Sequence, residues 1–273
     1  MDVYSLTRGE SPLVVSMPHS GTELAYEMIH DDWEKVITDE AYGIPDTDWH
    51  IPQLYDFIEP MGASVIRASY SRYVVDLNRD PSGQSLYPGQ ATTGLVPTTL
   101  FDGSPIYCDG MEPDGPEIET RRQEYFEPYH NALAELLADA RSRHGYAVLW
   151  DAHSIASVVP RLFEGRLPDL NLGTNSGQSC APEIQAAAEA AMAATGDYET
   201  ISNGRFKGGW ITRHYGQPKH NVHALQMEIA QIAYMAEGAP YTFDAGKAER
   251  LRPVLKSIIQ AALDAAARLH AGD

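Results

Sequence analysis

Two stretches of the chain set a histidine just beyond a run of apolar residues. In LVVSMPHSGTE, residues 13–23, the run breaks at Met17-Pro18 and presents His19; in GYAVLWDAHSIAS, residues 145–157, it ends at His153. Each run reads as a buried strand. In open α/β sheets ligands sit beyond the carboxyl ends of the strands, so both imidazoles fall where a site forms. Two histidines and one carboxylate are the usual protein ligands of a hydrolytic zinc site. The carboxylate candidates are Glu23, Asp46, Asp48 and Asp151. Asp151 lies two residues before His153 and on a strand shares its face, so it serves either as ligand or as acceptor for a histidine N–H.

Further chemistry-bearing residues follow. Glu228 stands in the apolar run VHALQMEIA, where a charge is costly unless it is paired or put to use. Beside a metal such a carboxylate is a general base; otherwise it pairs with an arginine such as Arg213. In SYSRYVVDLNRDPSG, Arg72, Asn78 and Arg79 form a receptor for carboxylate, through two-point guanidinium contacts and an amide N–H. Asp76 between them is expected to form an ion pair with Arg72 or Arg79. Neither Ser20 nor Ser154 sits in a G-x-S-x-G turn, which disfavours a serine nucleophile.

The elements that must position these groups alternate. Strands are expected over 11–17, 63–70, 146–154, 210–216 and 222–230, and helices over 46–62, 121–145, 181–196 and 244–270. That order predicts an α/β fold, a three-layer sandwich with a mostly parallel central sheet. The stretch from 80 to about 116 is rich in Gly, Pro, Ser and Thr, yet holds Leu86, Tyr87, Leu95, Leu100, Phe101, Ile106 and Tyr107; it reads as a packed flap inserted in one domain spanning 1–273.

Composition narrows the partners. The chain has 273 residues, 43% of them hydrophobic, enough for a large core. Its formal net charge of −18 disfavours nucleic acid and anionic membrane surfaces. No signal peptide and no run of membrane-spanning length is evident, and the two cysteines, Cys108 and Cys180, form no C-x-x-C; a cytoplasmic protein is expected.

Seven fragments in order, PHSGTEL, DTDWHIPQLYDF, SYSRYVVDLNRDPSG, LYPGQATTGLVPTT, DAHSI, RLFEGRLPDLNLGT and GGWITRHYG…VHALQMEI, resemble the N-formylglutamate amidohydrolases over residues 12–236. The resemblance implies a zinc-carboxypeptidase-like fold and metal-dependent hydrolysis of N-formyl-L-glutamate to formate and L-glutamate, the last step of one route of histidine degradation. It implies one divalent metal ion, zinc first, on His19, Asp48 and His153, with Glu228 catalytic. Arg72, Asn78, Arg79 and Arg213 bind the small anionic N-acyl amino acid. The wider carboxypeptidase-like pattern carries His-x-x-Glu; here Thr22 holds that spacing and Glu23 follows one place later. Rival readings are a deacylase for another N-acyl amino acid, such as N-succinylglutamate or N-acetylaspartate, and a catalytically silent binding protein on the same fold.

Overall fold

The computed structural model describes residues 2–29, 35–84 and 93–271. In chain order the strands are β1 (Tyr4–Thr7), β2 (Leu13–Met17), β3 (Ser64–Ala68), β4 (Ala147–Ile155), β5 (Leu170–Gly173), β6 (Thr200–Ser202) and β7 (Val222–Ala230). The helices are α1 (Tyr26–Ile29), α2 (Asp39–Tyr42), α3 (Ile51–Leu54), α4 (Gly115–Arg121), α5 (Glu127–His144), α6 (Pro182–Ala193), α7 (Trp210–Tyr215) and α8 (Ala245–His270). The strands form one seven-stranded sheet in the order β1-β3-β2-β4-β7-β5-β6. Its centre, β3-β2-β4-β7, is parallel, while β1 and β5 run antiparallel to β3 and β7.

All nine residues of β4 are buried, as in a strand covered on both faces. Val148, Trp150 and Ala152 face a core built with α6 and α8; Ala147 and Leu149 face a second core built on α5. Neighbouring strands keep the same alternation. Leu225, Met227 and Ile229 of β7 join the α6–α8 side, and Ala224 joins the α5 side. Asp151 and His153 of β4, with Gln226 and Glu228 of β7, therefore share the α5 face. A one-residue slip of either strand would send its polar pair into the opposite core. On that opposite side α8 lays Leu251, Leu255, Ile258, Ile259, Ala262 and Ala266 along one helical stripe, and the Asp244 carboxylate caps its first turn through the Lys247 N–H (2.9 Å).

Two expectations change. The helix expected over 46–62 is reduced to α3 and a 3-10 turn at Glu59–Met61. His50 adopts a left-handed φ of 59°, and prolines 52 and 60 lack the N–H that a continuous helix uses. The stretch 210–216, expected as a strand, is helix α7. Its amides close back on the chain, from Arg213 N–H to Gly209 O (3.1 Å) and Gly216 N–H to Thr212 O (3.1 Å), and Trp210 stacks on His214 one turn on, with ring centroids 4.2 Å apart. A short apolar run does not reveal its period. Of the segment 80–116, residues 85–92, with Leu86 and Tyr87, lie outside the described residues; Leu95, Leu100, Ile106 and Tyr107 are buried. No helix among the described residues is long and apolar enough to cross a membrane.

His130 of α5 is buried against Phe126, Trp210 and Tyr215, and its Nε2–H donates to Leu77 O (2.9 Å). Burial pushes its pKa from 6.5 down to about 3. The unfolded chain takes up this proton near pH 6.5 and the folded chain does not. Stability is therefore lost as pH falls from about 6.5 towards 3, by up to about 1.4 kcal/mol per unit. His130→Gln keeps an N–H donor without titrating there. Its thermal midpoint should fall less steeply than that of the unaltered protein between pH 6 and 4; parallel curves would show that the ring is not responsible.

Candidate active site

His19 follows β2, His153 lies near the carboxyl end of β4, and Asp48 lies in the turn before α3, whose backbone is tied to the first by Asp48 N–H to His19 O (3.0 Å). All three side chains are buried, with the two rings 4.9 Å apart between centroids. Asp48 Oδ2 lies 3.0 Å from His153 Nδ1 and 3.9 Å from His19 Nδ1. One ligating atom from each residue falls within 4.8 Å of the other two. Donors of a tetrahedral ion at 2.0–2.1 Å stand about 3.3 Å apart, so the cluster is of metal-binding size.

The other nitrogen of each ring is already taken. His19 Nε2 donates to Asp76 Oδ1 (2.7 Å) and His153 Nε2 lies 3.1 Å from Asp151 Oδ2, which leaves both Nδ1 atoms facing Asp48. Carboxylates behind histidine ligands fix the tautomer and make the ring a stronger donor. Burial works against ionisation of Asp76, but Arg72, Arg79 and His19 outweigh it and hold its pKa well below the usual range. Burial and Arg72 keep the His19 ring neutral, the form a ligand needs. Burial also opposes charge on His153, yet Asp151 and Asp48 prevail and raise its pKa well above 6.5. The proton held between His153 Nδ1 and Asp48 stands where a cation would stand.

Glu228 is the register partner of His153 across the β4–β7 ladder and shares its face. Gln226 Nε2 donates to its Oε2 (3.3 Å). Burial raises its pKa to about 8, offset in part by His153 and reinforced by Asp48.

A cavity of about 340 Å³ opens on this cluster, lined by His19, Asp48, His153 and Glu228 and by Arg72, Asn78 and Arg79. Arg72 is 6% exposed; its Nη2 donates to Asp76 (2.6 Å), the Phe101 ring centroid lies 4.7 Å from its guanidinium carbon, and its Nε has no partner. Arg79 donates from Nε and Nη2 to Thr93 Oγ1 (3.2 and 3.0 Å). Asn78 is spent largely on support: Oδ1 accepts the Ile211 N–H (2.8 Å) and Nδ2 rests 3.0 Å from His153 Nε2. Position 209 admits no side chain, since a Cβ there would come within 2.3 Å of the Asn78 amide.

Other sequence candidates fall elsewhere. Arg213 does not line the cavity. It sits on α7 with Nε donating to Gly208 O (2.9 Å), because a helix rotates it away from the direction a strand would have given. Glu23 is exposed, and Asp46 spends its Oδ2 on the Phe101 N–H (2.9 Å). Asp76 does pair with Arg72, and it is also the partner of His19, a contact across 57 residues that spacing does not reveal. Arg205, Phe206 and Gln226 line the cavity without having been singled out; the glycines that flank Arg205 in NGRFKGG were the available signal.

Comparison with known proteins identifies the family. The family model for N-formylglutamate amidohydrolase matches residues 11–235. The chain is 52% identical over 262 residues to an N-formylglutamate deformylase of Pseudomonas aeruginosa, and 48% identical over 261 residues to one of Pseudomonas putida, with 96% of both chains covered in each case. Among solved structures, an N-formylglutamate amidohydrolase from Ralstonia eutropha superposes with a TM-score of 0.78 at 25% identity, covering 100% of both chains. A gene product of Agrobacterium tumefaciens shares the fold, with a TM-score of 0.67 at 15% identity over 97% of this chain and 96% of its own. Sequence, fold and the buried His-Asp-His cluster thus converge, and the chain belongs to the N-formylglutamate amidohydrolase family.

Proposed function

We propose that the protein hydrolyses N-formyl-L-glutamate to formate and L-glutamate, with one divalent metal ion, zinc first, held by His19, Asp48 and His153. The observation that carries this reading is the buried cluster itself, with Glu228 register-paired to His153 inside a cavity also lined by guanidinium groups. A volume of about 340 Å³ is near the lower end for ligand sites and suits a small amino-acid derivative. In this role the protein serves histidine breakdown in the cytoplasm, and its two free cysteines fit a reducing compartment.

When bound, the ion supplies Lewis acidity, polarising the formyl carbonyl and making a water more acidic. Glu228 takes the proton of the attacking water at a carboxylate oxygen and delivers it to the departing amine nitrogen. Burial, opposed by His153 and reinforced by Asp48, raises its pKa to about 8; a dication bound at the neighbouring cluster would favour the carboxylate, so the base form would be available at neutral pH. Arg72, whose guanidinium lines the cavity, stabilises the oxyanion or a substrate carboxylate, and Arg79 takes a carboxylate in exchange for Thr93. Asn78 holds the start of α7 through the Ile211 N–H and lines the cavity.

Three outcomes are expected. Exhaustive removal of metal should abolish formate release from N-formyl-L-glutamate and zinc add-back should restore it; full activity in metal-free protein ends the metal assignment. Glu228→Gln should lower turnover by at least about 100-fold while metal content, measured by atomic emission, stays near that of the unaltered protein. Asp151→Asn leaves all three ligands in place, yet should weaken metal affinity by about 10–100-fold in competition with a chromogenic chelator.

A further inference from the structure

A second cavity of about 260 Å³ adjoins the first, and Phe101, Ser154 and Ile155 line both. The dividing wall is apolar. The Phe101 ring packs on the cluster of Ile155, Val159 and Leu167 and lies under Arg72, while its backbone N–H is pinned to Asp46 Oδ2 (2.9 Å). Ser154 belongs to the opposite face of β4, its Oγ bonded to Tyr234 Oη (2.8 Å), so Phe101 and Ile155 supply the side chains of the partition.

Chain order shows which end of the first cavity meets this wall. Asp48 directly follows Asp46-Thr47, which line the second cavity only, and His153 directly precedes Ser154-Ile155, which line both. Asn78, Arg79 and Thr93 line the first cavity only. His153 and Ile155, two residues apart on one face of β4, put the ligand cluster beside the partition, while the Arg79 guanidinium is held at Thr93, which lines the first cavity only. A substrate whose carbonyl sits at the cluster and whose carboxylate reaches Arg79 turns its acyl substituent towards Phe101 and Ile155.

We infer that Phe101, together with Ile155, is the specificity-determining wall that restricts the acyl group to small sizes by closing the site off from the second cavity. This rests on the amidohydrolase reading above and adds the residues that select among N-acyl-L-glutamates. Shortening the ring connects the two cavities and makes apolar space for a longer chain, while hydrolysis itself still depends on the same ligands and base.

The test compares kcat/KM for N-formyl-, N-acetyl-, N-propionyl- and N-butyryl-L-glutamate in the metal-loaded unaltered protein, Phe101→Ala and Ile155→Ala. The unaltered protein should lose efficiency steadily along the series. The butyryl-to-formyl ratio should rise at least about 10-fold in Phe101→Ala, the low end of what one methylene-sized difference achieves in an apolar pocket, and by a smaller factor in Ile155→Ala. The readout is a gain within one variant, which loss of folding or of the Arg72 contact does not produce. Ratios unchanged in both variants, or a flat series in the unaltered protein, overturn the wall. Absence of formate release from N-formyl-L-glutamate by the unaltered protein overturns instead the reaction on which it rests.

Discussion

Asp76 is fully buried, and four groups lean on it: His19 Nε2 at 2.7 Å, Arg72 Nη2 at 2.6 Å, the Asn78 N–H at 2.9 Å and, more distantly, Arg79 Nη2 at 3.5 Å. Taking a carboxylate out of water is expensive, and only this many donors make it tolerable. One negative charge thereby orients a ligand histidine and anchors the guanidiniums that face the cavity. Loss of that charge would leave Arg72 buried without its counter-ion, so the group that aims the imidazole is also the group that keeps the anion receptor in place. Asp151 plays the simpler part for His153, supported by the Thr212 hydroxyl at 3.3 Å.

Overall acidity and local chemistry pull in opposite directions. The chain carries a formal charge of −18, and its site holds Asp48, Asp76, Asp151 and Glu228 within a small buried volume. Without a cation the cluster relieves this repulsion by keeping protons, on His153 and on Glu228. Long-range attraction therefore contributes little to capture of an anionic substrate, and the short-range hydrogen bonds of Arg72 and Arg79 must do it.

Much of this was legible along the chain. His19 and His153 stood out because the apolar runs before them could only be central strands, and Glu228 because a charge interrupts such a run. Period-2 alternation then puts Glu228 and His153 on one face once their strands are neighbours. Asp48 was one of four carboxylates until the resemblance to a family singled it out, since neighbouring Asp46 has the same local setting and only tertiary contact separates them. The misreading of 210–216 bears on Arg213, which sits on helix α7 and is not among the residues that line the cavity. The pairing of Asp76 with Arg72 was legible from their spacing, but its contact with His19, 57 residues away, was not, and neither were the distant neighbours of Phe101. Short strands such as β5 and β6, four and three residues long, are too brief for periodicity to register.

The three ligand residues are drawn from positions 19, 48 and 153, and the central parallel pairing of β2 with β4 brings the outer two together. No contiguous peptide of this protein contains the set, so the denatured chain offers a divalent ion little beyond scattered side chains. Occupancy is then linked to folding: an ion present at 100 times its dissociation constant would add about 2.7 kcal/mol to the native state by mass action. A divalent ion bound at this cluster would thus act as a clasp between the strands that carry His19 and His153, and loss of the ion would lower stability as well as activity.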